Sequence, residues 1–239
     1  MGVLSQIRPV NLREQVVEQI RAAIIEGRLK PNDHITEAAL TVELGVSRTP
    51  VREALIILER EALIVSIPNR GSFVRAFSEE DVKAVFSMRI TLENFAAELV
   101  VDHLVERDFA HLESLIEKQR AAIEQGDFRQ VRRVDMSFHQ YIVNASGHPL
   151  LMRNWQEIVA QVAAILFLRA EAMPDYDETH AIEDHHTLLK LFRARHLEGI
   201  RLENRRINNR VMEECIAAVR TLSTRQGSER GKLASKARP

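Results

Sequence analysis

Residues 40–58 have the sequence LTVELGVSRTPVREALIIL, which predicts a short helix, a tight turn and a second helix. Thr36 is placed to cap the first of these helices. Gly45 stands where the chain has to leave that helix through a positive φ, which glycine adopts without steric strain. Ser47 is placed to cap the second helix, and Pro50 falls in its first turn, where a missing N–H removes no helical hydrogen bond. The spacing therefore predicts a helix-turn-helix.

The second helix of this motif has one apolar and one polar face. Apolar residues recur at i, i+3, i+4 and i+7: Val51, Ala54, Leu55 and Leu58. Arg48, Thr49 and Arg52 are left on the outer face, around the helix N-terminus. Hydroxyls and arginines at an exposed, positive helix end suit DNA phosphates and base edges. An ordinary corner between two helices with a solvated basic face has the same pattern, so the flanking sequence has to decide.

The flanks add a helix and a β-hairpin. Apolar residues at helical spacing predict a helix over Leu12–Glu26. Two runs of β-branched or aromatic residues, Ile64–Ile67 and Ser72–Arg75, lie on either side of the turn sequence Pro68–Gly71. Three helices followed by a hairpin make a winged helix. Arg70 then lies at the wing tip, where a cation enters the DNA minor groove, or it is simply a solvated turn residue.

Composition indicates a globular, mainly helical protein. Of the 239 residues, 45% are hydrophobic, 28% are charged and only 5% are aromatic. No apolar run approaches the roughly 20 residues that a membrane span requires, and the N-terminal sequence has no apolar signal-peptide core. Cys215 is the only cysteine, so no disulfide forms within the chain. We therefore expect a reduced, cytoplasmic setting.

Charge is unevenly distributed along the chain. The overall net charge is −1, which does not indicate nucleic-acid binding by itself. Residues 1–77 have a net charge of +1, residues 78–222 of −6 and residues 223–239 of +4. Any DNA contact must therefore come from a local patch in the first third, and the acidic remainder faces another kind of partner.

A boundary follows the hairpin. Ser78 and Asp81 form a capping-box pattern, and everything after them has helical spacing. The sequence predicts a winged helix over 1–77, an all-helical domain over 78–222 and a basic flexible tail over 223–239, with residues 1–10 as a flexible arm. The six helices predicted in the second domain lie near 79–104, 109–125, 128–146, 150–172, 179–195 and 197–222. The residues predicted to cap or end them are Asp108, Asp127, Gly126 and Gly147.

The N-terminal third resembles the winged-helix domain of GntR-family bacterial transcription regulators. The resemblance rests on GRLKP at 27–31, on LxxxLGVSRTPVREAL at 40–55 and on GSFV at 71–74. It implies a homodimer that binds a short palindromic operator and whose DNA affinity is changed by a small metabolite, often a carboxylate. The DNA-facing residues it implies are Ser47, Arg48, Thr49, Arg52, Arg70 and Gly71. Many relatives have an arginine near the position of Ala38, so one contact is absent here.

The helical part resembles the FCD-type effector domain of the FadR branch of that family. The matching segments are RxxLE at Arg89–Glu93, DxxxH at Asp135–His139 and DHxxLL at Asp184–Leu189. The resemblance implies that Arg89 is an effector-binding cation, which grips a carboxylate in a bidentate fork. From spacing alone, Arg89 and Glu93 are four apart and form an ordinary helical ion pair.

A second cluster predicts a metal site. Asp135 and His139 lie on one helical face, beside the apolar row Val131, Val134, Phe138 and Ile142, so both point toward the core. His185 begins another apolar row. Three inward carboxylate and imidazole ligands can hold a divalent metal of the Zn, Ni or Mn type, with positions left open for water or an effector, and the FCD resemblance implies such a site. Without a metal, the same residues form an ion pair or a satisfied polar pair.

The family resemblance also implies a third histidine, whose position falls on Ile207. Its replacement predicts weaker metal binding, or a metal-free pocket that takes the ligand directly. His186 and His180 are less favoured alternatives, because neither occupies the apolar row as cleanly.

Two functions follow. The favoured one is a dimeric, ligand-responsive transcription regulator and not an enzyme, most simply a repressor released by a carboxylate-bearing metabolite. The alternative is a metal-dependent enzyme that uses Asp135, His139 and His185, with the winged helix as a docking module. Against it, the sequence has no nucleophile–base pair, glycine-rich phosphate loop or HExxH motif. A catalytic site also needs a base distinct from the ligands, and Glu183 and Asp184 need not point inward.

Overall fold

The computed structural model of the chain describes residues 12–236, and the side chains of residues 12–225. The arm predicted over residues 1–10 lies outside the described residues. The chain divides into two compact units, with the boundary between Ala76 and Phe77. This boundary is one residue before the one expected from the sequence.

The first unit is a winged helix. Its elements are α1 (Leu12–Ile25), β1 (His34–Ile35), α2 (Glu37–Leu44), α3 (Arg48–Arg60), β2 (Ile64–Ile67) and β3 (Gly71–Val74). The predicted three helices and hairpin are confirmed. The short strand β1 was not predicted, and it makes the sheet three-stranded and antiparallel in the order β1-β3-β2. Two residues are too short a run to show the alternation of a strand.

The residues predicted to cap and end α2 and α3 mostly have the predicted roles. The Thr36 hydroxyl accepts a hydrogen bond from the Ala39 amide at 3.1 Å, and Gly45 has a φ of +64°. Ser47 occupies the N-cap position of α3, but its side chain makes no capping hydrogen bond. The apolar side of α3 is buried through Val51, Ala54, Leu55 and Leu58. It packs against α1, which leaves the opposite side of α3 exposed.

The wing depends on a close contact at the start of β3. Gly71 has a φ of +95°, and a Cβ atom there would lie 2.5 Å from the Nε2 atom of His34. The His34 ring stacks on Phe73, with 4.8 Å between centroids. Glycine is therefore required on both conformational and steric grounds.

The second unit is all-helical in its described part. Its elements are α4 (Glu79–Val100), α5 (Glu106–Glu124), α6 (Phe128–Ala145), α7 (Pro149–Ala172), α8 (Thr179–Arg193) and α9 (Leu197–Lys236). Helix α4 packs against α6, α7 and α9, and α8 packs against α5 and α9. The predicted fold class, a winged helix followed by an all-α bundle, is confirmed. No helix in the described residues is both long and apolar enough to cross a membrane.

Most predicted helix ends in this unit are close to the observed ones. Ser78 and Asp81 form the expected capping box, and the Asp127 carboxylate accepts from the Gln130 amide at 3.0 Å. The prediction for Asp108 is wrong, because α5 begins two residues before it. Asp108 is the third helical residue and accepts from the Val105 amide at 2.8 Å. A carboxylate that reaches back across the first turn gives the same sequence pattern as an N-cap.

The last helix is longer than expected. The sequence predicts an end at 222, whereas α9 continues to Lys236 through the segment predicted as a flexible tail. Arginine, glutamate, glutamine, lysine, leucine and alanine make up much of this segment, and all have high helix propensity. Polar composition predicts exposure to water but does not by itself end a helix.

Candidate functional site

The structure places the predicted DNA-binding residues on the exposed surface of the first unit. Ser47, Arg48, Thr49 and Arg52 are exposed at the N-terminal end of α3. Arg70 is exposed in the turn between β2 and β3, and Gly71 is exposed at the start of β3. The Arg70 guanidinium lies 6.0 Å from the centre of the Phe73 ring. This surface offers hydroxyl and guanidinium donors at the positive end of a helix dipole, which is the chemistry that phosphates and guanine edges accept.

Glu37 belongs to this surface and was not predicted from the sequence. Arg52 donates from Nε and Nη2 to the two carboxylate oxygens of Glu37, each at 2.9 Å. The hydrogen bond from Arg52 lowers the pKa of Glu37, so the carboxylate is ionised at neutral pH. A bidentate pair fixes the plane of the guanidinium. Glu37 lies 15 residues from Arg52, and no helical or strand period connects them in the sequence.

The second unit contains a cavity of about 40 Å³. Since a water needs about 10–15 Å³ of such space, the cavity has room for about three waters or a ligand of that size. Its walls include Asp135, His139 and His185, together with Arg89 and Ile207. Residues predicted from four separate helices therefore meet at one cavity.

The geometry of the Asp135–His139–His185 cluster fits a metal ion. The candidate ligand atoms all lie within 4.8 Å of one another. His185 Nε2 lies 3.3 Å from His139 Nε2 and 3.4 Å from Asp135 Oδ1. Around a tetrahedral metal with bonds of about 2.0–2.1 Å, neighbouring ligand atoms are about 3.3–3.4 Å apart. Two of the ligand separations therefore equal the edge of such a tetrahedron.

Hydrogen bonds on the far side of each ring support the same interpretation. His185 Nδ1 donates to Gln119 Oε1 at 2.9 Å, and His139 Nδ1 donates to Glu93 Oε1 at 3.0 Å. In neutral rings held this way, both Nε2 atoms present a lone pair across 3.3 Å. Two acceptors at that distance need a proton or a cation between them. Histidine ligands of metal sites commonly have this second hydrogen bond.

Burial sets the charge states in the cluster. Removal from water lowers the pKa of His185 to about 3, so the imidazole is neutral and able to ligate at neutral pH. Burial raises the pKa of Glu93, but the charge of Arg89 and the hydrogen bonds from His139 and Arg89 outweigh it and hold that pKa well below its usual value. Burial also raises the pKa of Asp135, but nearby positive charge, including that of Arg89, outweighs it and lowers that pKa overall. The donor set is thus one carboxylate and two imidazoles.

Arg89 is held inside the protein. It is 3% exposed, and its Nε donates to Glu93 Oε1 at 2.8 Å, which is the ion pair that the spacing alone predicts. Because Glu93 also accepts from His139, Arg89 is connected to that candidate ligand through the carboxylate. Arg89 lines the cavity as well. Direct contact with an effector stays a prediction.

The other residues considered for the metal site divide into those that line the cavity and those that do not. Ile207 lines the cavity, at the position where the resemblance implies a third histidine. His180 is exposed, and His186 lies 3.3 Å from Arg120, so neither belongs to the group of candidate metal ligands in the described part of the chain. Asp184 also lines the cavity, but its carboxylate is held by two arginines, Arg206 and Arg210. The exposed Glu183 contributes nothing to the cavity wall.

Gln119, which accepts a hydrogen bond from His185, was also not predicted from the sequence. It is 1% exposed on α5, where its neighbours on the buried face are apolar, and its Nε2 lies 3.5 Å from Asp135 Oδ1. A glutamine within a buried row of leucine, isoleucine and alanine is the signal that identifies such a residue.

Comparison with known protein families identifies both units. Residues 12–74 match the family described as bacterial regulatory proteins, gntR family, and residues 84–210 match the FCD domain. The second match alone covers more than half of the chain. This chain belongs to the GntR family of bacterial transcription regulators.

Individual relatives agree. The HTH-type transcriptional regulator McbR of Escherichia coli is 30% identical over 82% of this chain and 89% of its own length. The solved structure of E. coli McbR/YncC superposes with a TM-score of 0.75 at 28% identity, covering 92% of this chain and all of that one. The gluconate operon transcriptional repressor of Bacillus subtilis is 27% identical over 73% of this chain and 72% of its own length. The GntR-family relatives are regulators by name, so the coarse function is DNA-binding transcription regulation.

Proposed function

We propose that this GntR-family protein is a cytoplasmic repressor that binds a palindromic operator as a homodimer and is released by a small carboxylate-bearing metabolite. The observation that carries the DNA-binding part is the exposed N-terminal end of α3, where Ser47, Arg48, Thr49 and Arg52 stand together. Arg70 and Gly71 at the wing tip extend this surface. The gluconate operon repressor among the relatives supports repression as the sign of regulation.

The second unit senses the metabolite at its cavity. An effector changes operator affinity only by binding one state of the protein more tightly than another. Asp135, His139 and His185 would hold a divalent metal, which supplies a positive centre that attracts a carboxylate oxygen. Gln119 and Glu93 orient the two histidine rings, and Arg89 fixes Glu93. Arg89 also places a positive charge at the cavity wall, beside the position proposed for the effector.

The proposal is tested on the protein's own operator. Arg48→Ala and Arg52→Ala each remove a donor from the α3 surface, and each should reduce specific binding by about 1–3 kcal/mol, which is about 5- to 150-fold in Kd. Fluorescence anisotropy with labelled operator DNA at fixed salt measures this loss.

Arg60→Ala is the matched control, because it removes the same charge from the same helix. Arg60 lies 12 residues after Arg48, about 18 Å further along the axis. Its substitution should leave specific binding within about two-fold of wild type. Unchanged operator affinity in both Arg48→Ala and Arg52→Ala would overturn the proposed recognition surface.

A further inference from the structure

The ion pair between Glu37 and Arg52 joins the two helices of the helix-turn-helix. Glu37 is the first residue of α2, directly after the Thr36 cap, and Arg52 lies in the second turn of α3. Both side chains lie at the surface, that of Glu37 34% exposed and that of Arg52 65% exposed. Exposed ion pairs contribute little to stability. Stability therefore does not account for a bidentate pair at this place.

The pair occupies one edge of the Arg52 guanidinium and leaves another edge free. An arginine has five N–H groups, one on Nε and two on each Nη. Glu37 Oε1 accepts from Nε and Glu37 Oε2 accepts from Nη2, each at 2.9 Å. The second N–H of Nη2 and one N–H of Nη1 form the end of the fork, and no described residue accepts from them. Two parallel donors match N7 and O6 of guanine in the major groove.

The same pair reduces the attraction of Arg52 for DNA phosphates. Glu37 is ionised at neutral pH, because the hydrogen bond from Arg52 lowers the pKa of its carboxyl group. Its negative charge offsets the positive charge of the guanidinium, and the charge of an arginine is what draws it to phosphates whatever the base sequence. The donor geometry of Arg52 is kept. The pair therefore favours contact with a base over contact with the backbone.

We propose that Glu37 sets the sequence specificity of the α3 surface by holding one edge of Arg52, so that the free end of the guanidinium reads one guanine in each half-site. Glu37 is a positioning residue, because it contacts Arg52 and not the DNA. It fixes the plane of the guanidinium before DNA arrives, so less conformational freedom is lost on binding. This inference rests on the proposed function, since it assigns a base-reading role within the proposed DNA-binding surface.

A guanine analogue tests the proposal on the full-length protein, with an operator duplex that the protein itself selects from a random-sequence pool. Each guanine is replaced in turn, in both half-sites, by 7-deazaguanine, which lacks the N7 acceptor but still pairs with cytosine. The guanine that Arg52 reads is the one whose replacement weakens binding about ten-fold for wild type and less than about two-fold for Arg52→Ala. Fluorescence anisotropy at fixed salt measures each Kd.

Glu37→Gln should lose most of this dependence on guanine. A glutamine side chain has one acceptor oxygen, so it cannot hold both N–H groups of Arg52. We expect 7-deazaguanine at that position to weaken binding by Glu37→Gln less than about three-fold. The ratio of affinities for the operator and for an unrelated duplex of the same length should also fall, by about five-fold or more, since the uncompensated Arg52 binds phosphates more strongly.

Glu43→Gln is the matched control. It removes the same charge from the exposed surface of α2, but Glu43 lies about 9 Å further along that helix than Glu37. It should keep the wild-type dependence on guanine. The proposal is overturned if Glu37→Gln keeps that dependence too, if Glu43→Gln loses it equally, or if no guanine in the operator depends on Arg52.

These outcomes are separate from failure of the proposed function. Unchanged operator affinity in both Arg48→Ala and Arg52→Ala shows that the recognition surface itself is wrong. Weaker operator binding by those two variants, together with wild-type guanine dependence in Glu37→Gln, refutes only the role given to Glu37.

Discussion

Ile207 occupies the position where the family resemblance places a third histidine ligand. It is 7% exposed and lines the same cavity as the three ligands that are present. Ile207→His adds a fourth donor and completes a tetrahedral set. We expect Zn²⁺ affinity to rise about ten-fold or more, and the free energy of unfolding without metal to fall, because a buried imidazole then lacks a partner.

Competition with a chromophoric chelator measures the change in Zn²⁺ affinity. Leu202→His on the same helix is the control, since Leu202 is 66% exposed and outside the cavity. If Ile207→His and Leu202→His both bind Zn²⁺ as wild type does, the side chain at 207 does not reach the ligand position.

Also at the residue scale, the sequence identifies the candidate ligands better than it identifies the residues that hold them in place by hydrogen bonds. Asp135 and His139 are linked by helical spacing, so their common face is predictable. Glu37 and Gln119 act on Arg52 and His185 across 15 and 66 residues, and no local period relates such pairs. Long-range hydrogen bonds of this kind follow from packing, which only the folded chain shows.

At the scale of elements, the wing depends on Gly71. Gly71→Ala forces an unfavourable φ of +95° on an alanine and displaces His34 from its stack on Phe73. Since the Arg70 guanidinium lies over Phe73, the substitution also disturbs the proposed minor-groove contact. We expect a loss of about 1–3 kcal/mol in the stability of the first unit, together with weaker operator binding.

Thermal unfolding and anisotropy measure the two effects. Gly126→Ala separates backbone strain from the steric effect, because Gly126 has a φ of +68° but open space around its Cβ position. It should reduce stability without changing operator affinity. Wild-type behaviour of Gly71→Ala in both measurements would show that the contact between His34 and Gly71 does not shape the wing.

Element boundaries were predictable where a local signal was unambiguous. Gly126 ends α5 and Asp127 caps α6 as expected, because a positive φ and a cap act over one turn. Asp108 was misassigned because a carboxylate at the third helical position has the same spacing as a cap. Strand β1 exists only through its pairing with β3, so nothing in its own two residues indicates it.

At the scale of the whole molecule, the proposed homodimer predicts that both charge and symmetry determine DNA affinity. The net charge is −1, so binding depends on the local α3 and wing surface of each copy and not on a general positive field. In a homodimer, the second copy binds its half-site at a high effective concentration once the first is bound. Two surfaces that each bind DNA weakly then give one tight complex. The acidic second unit, with a net charge of −6 over residues 78–222, repels DNA and so disfavours non-specific binding.

Scrambling one half of the operator should therefore weaken binding of the full-length protein at least about 100-fold. The slope of log Kd against log salt should fall by about half, because half of the phosphate contacts are lost. Anisotropy titrations at several salt concentrations measure both quantities, and sedimentation reports whether the free protein has twice the 27.3 kDa mass of one chain. A protein that sediments as one chain and binds the half-operator as tightly as the whole one reads DNA as a monomer. In that case the effector cannot act by changing how two copies share an operator, and it must alter the α3 surface of a single chain instead.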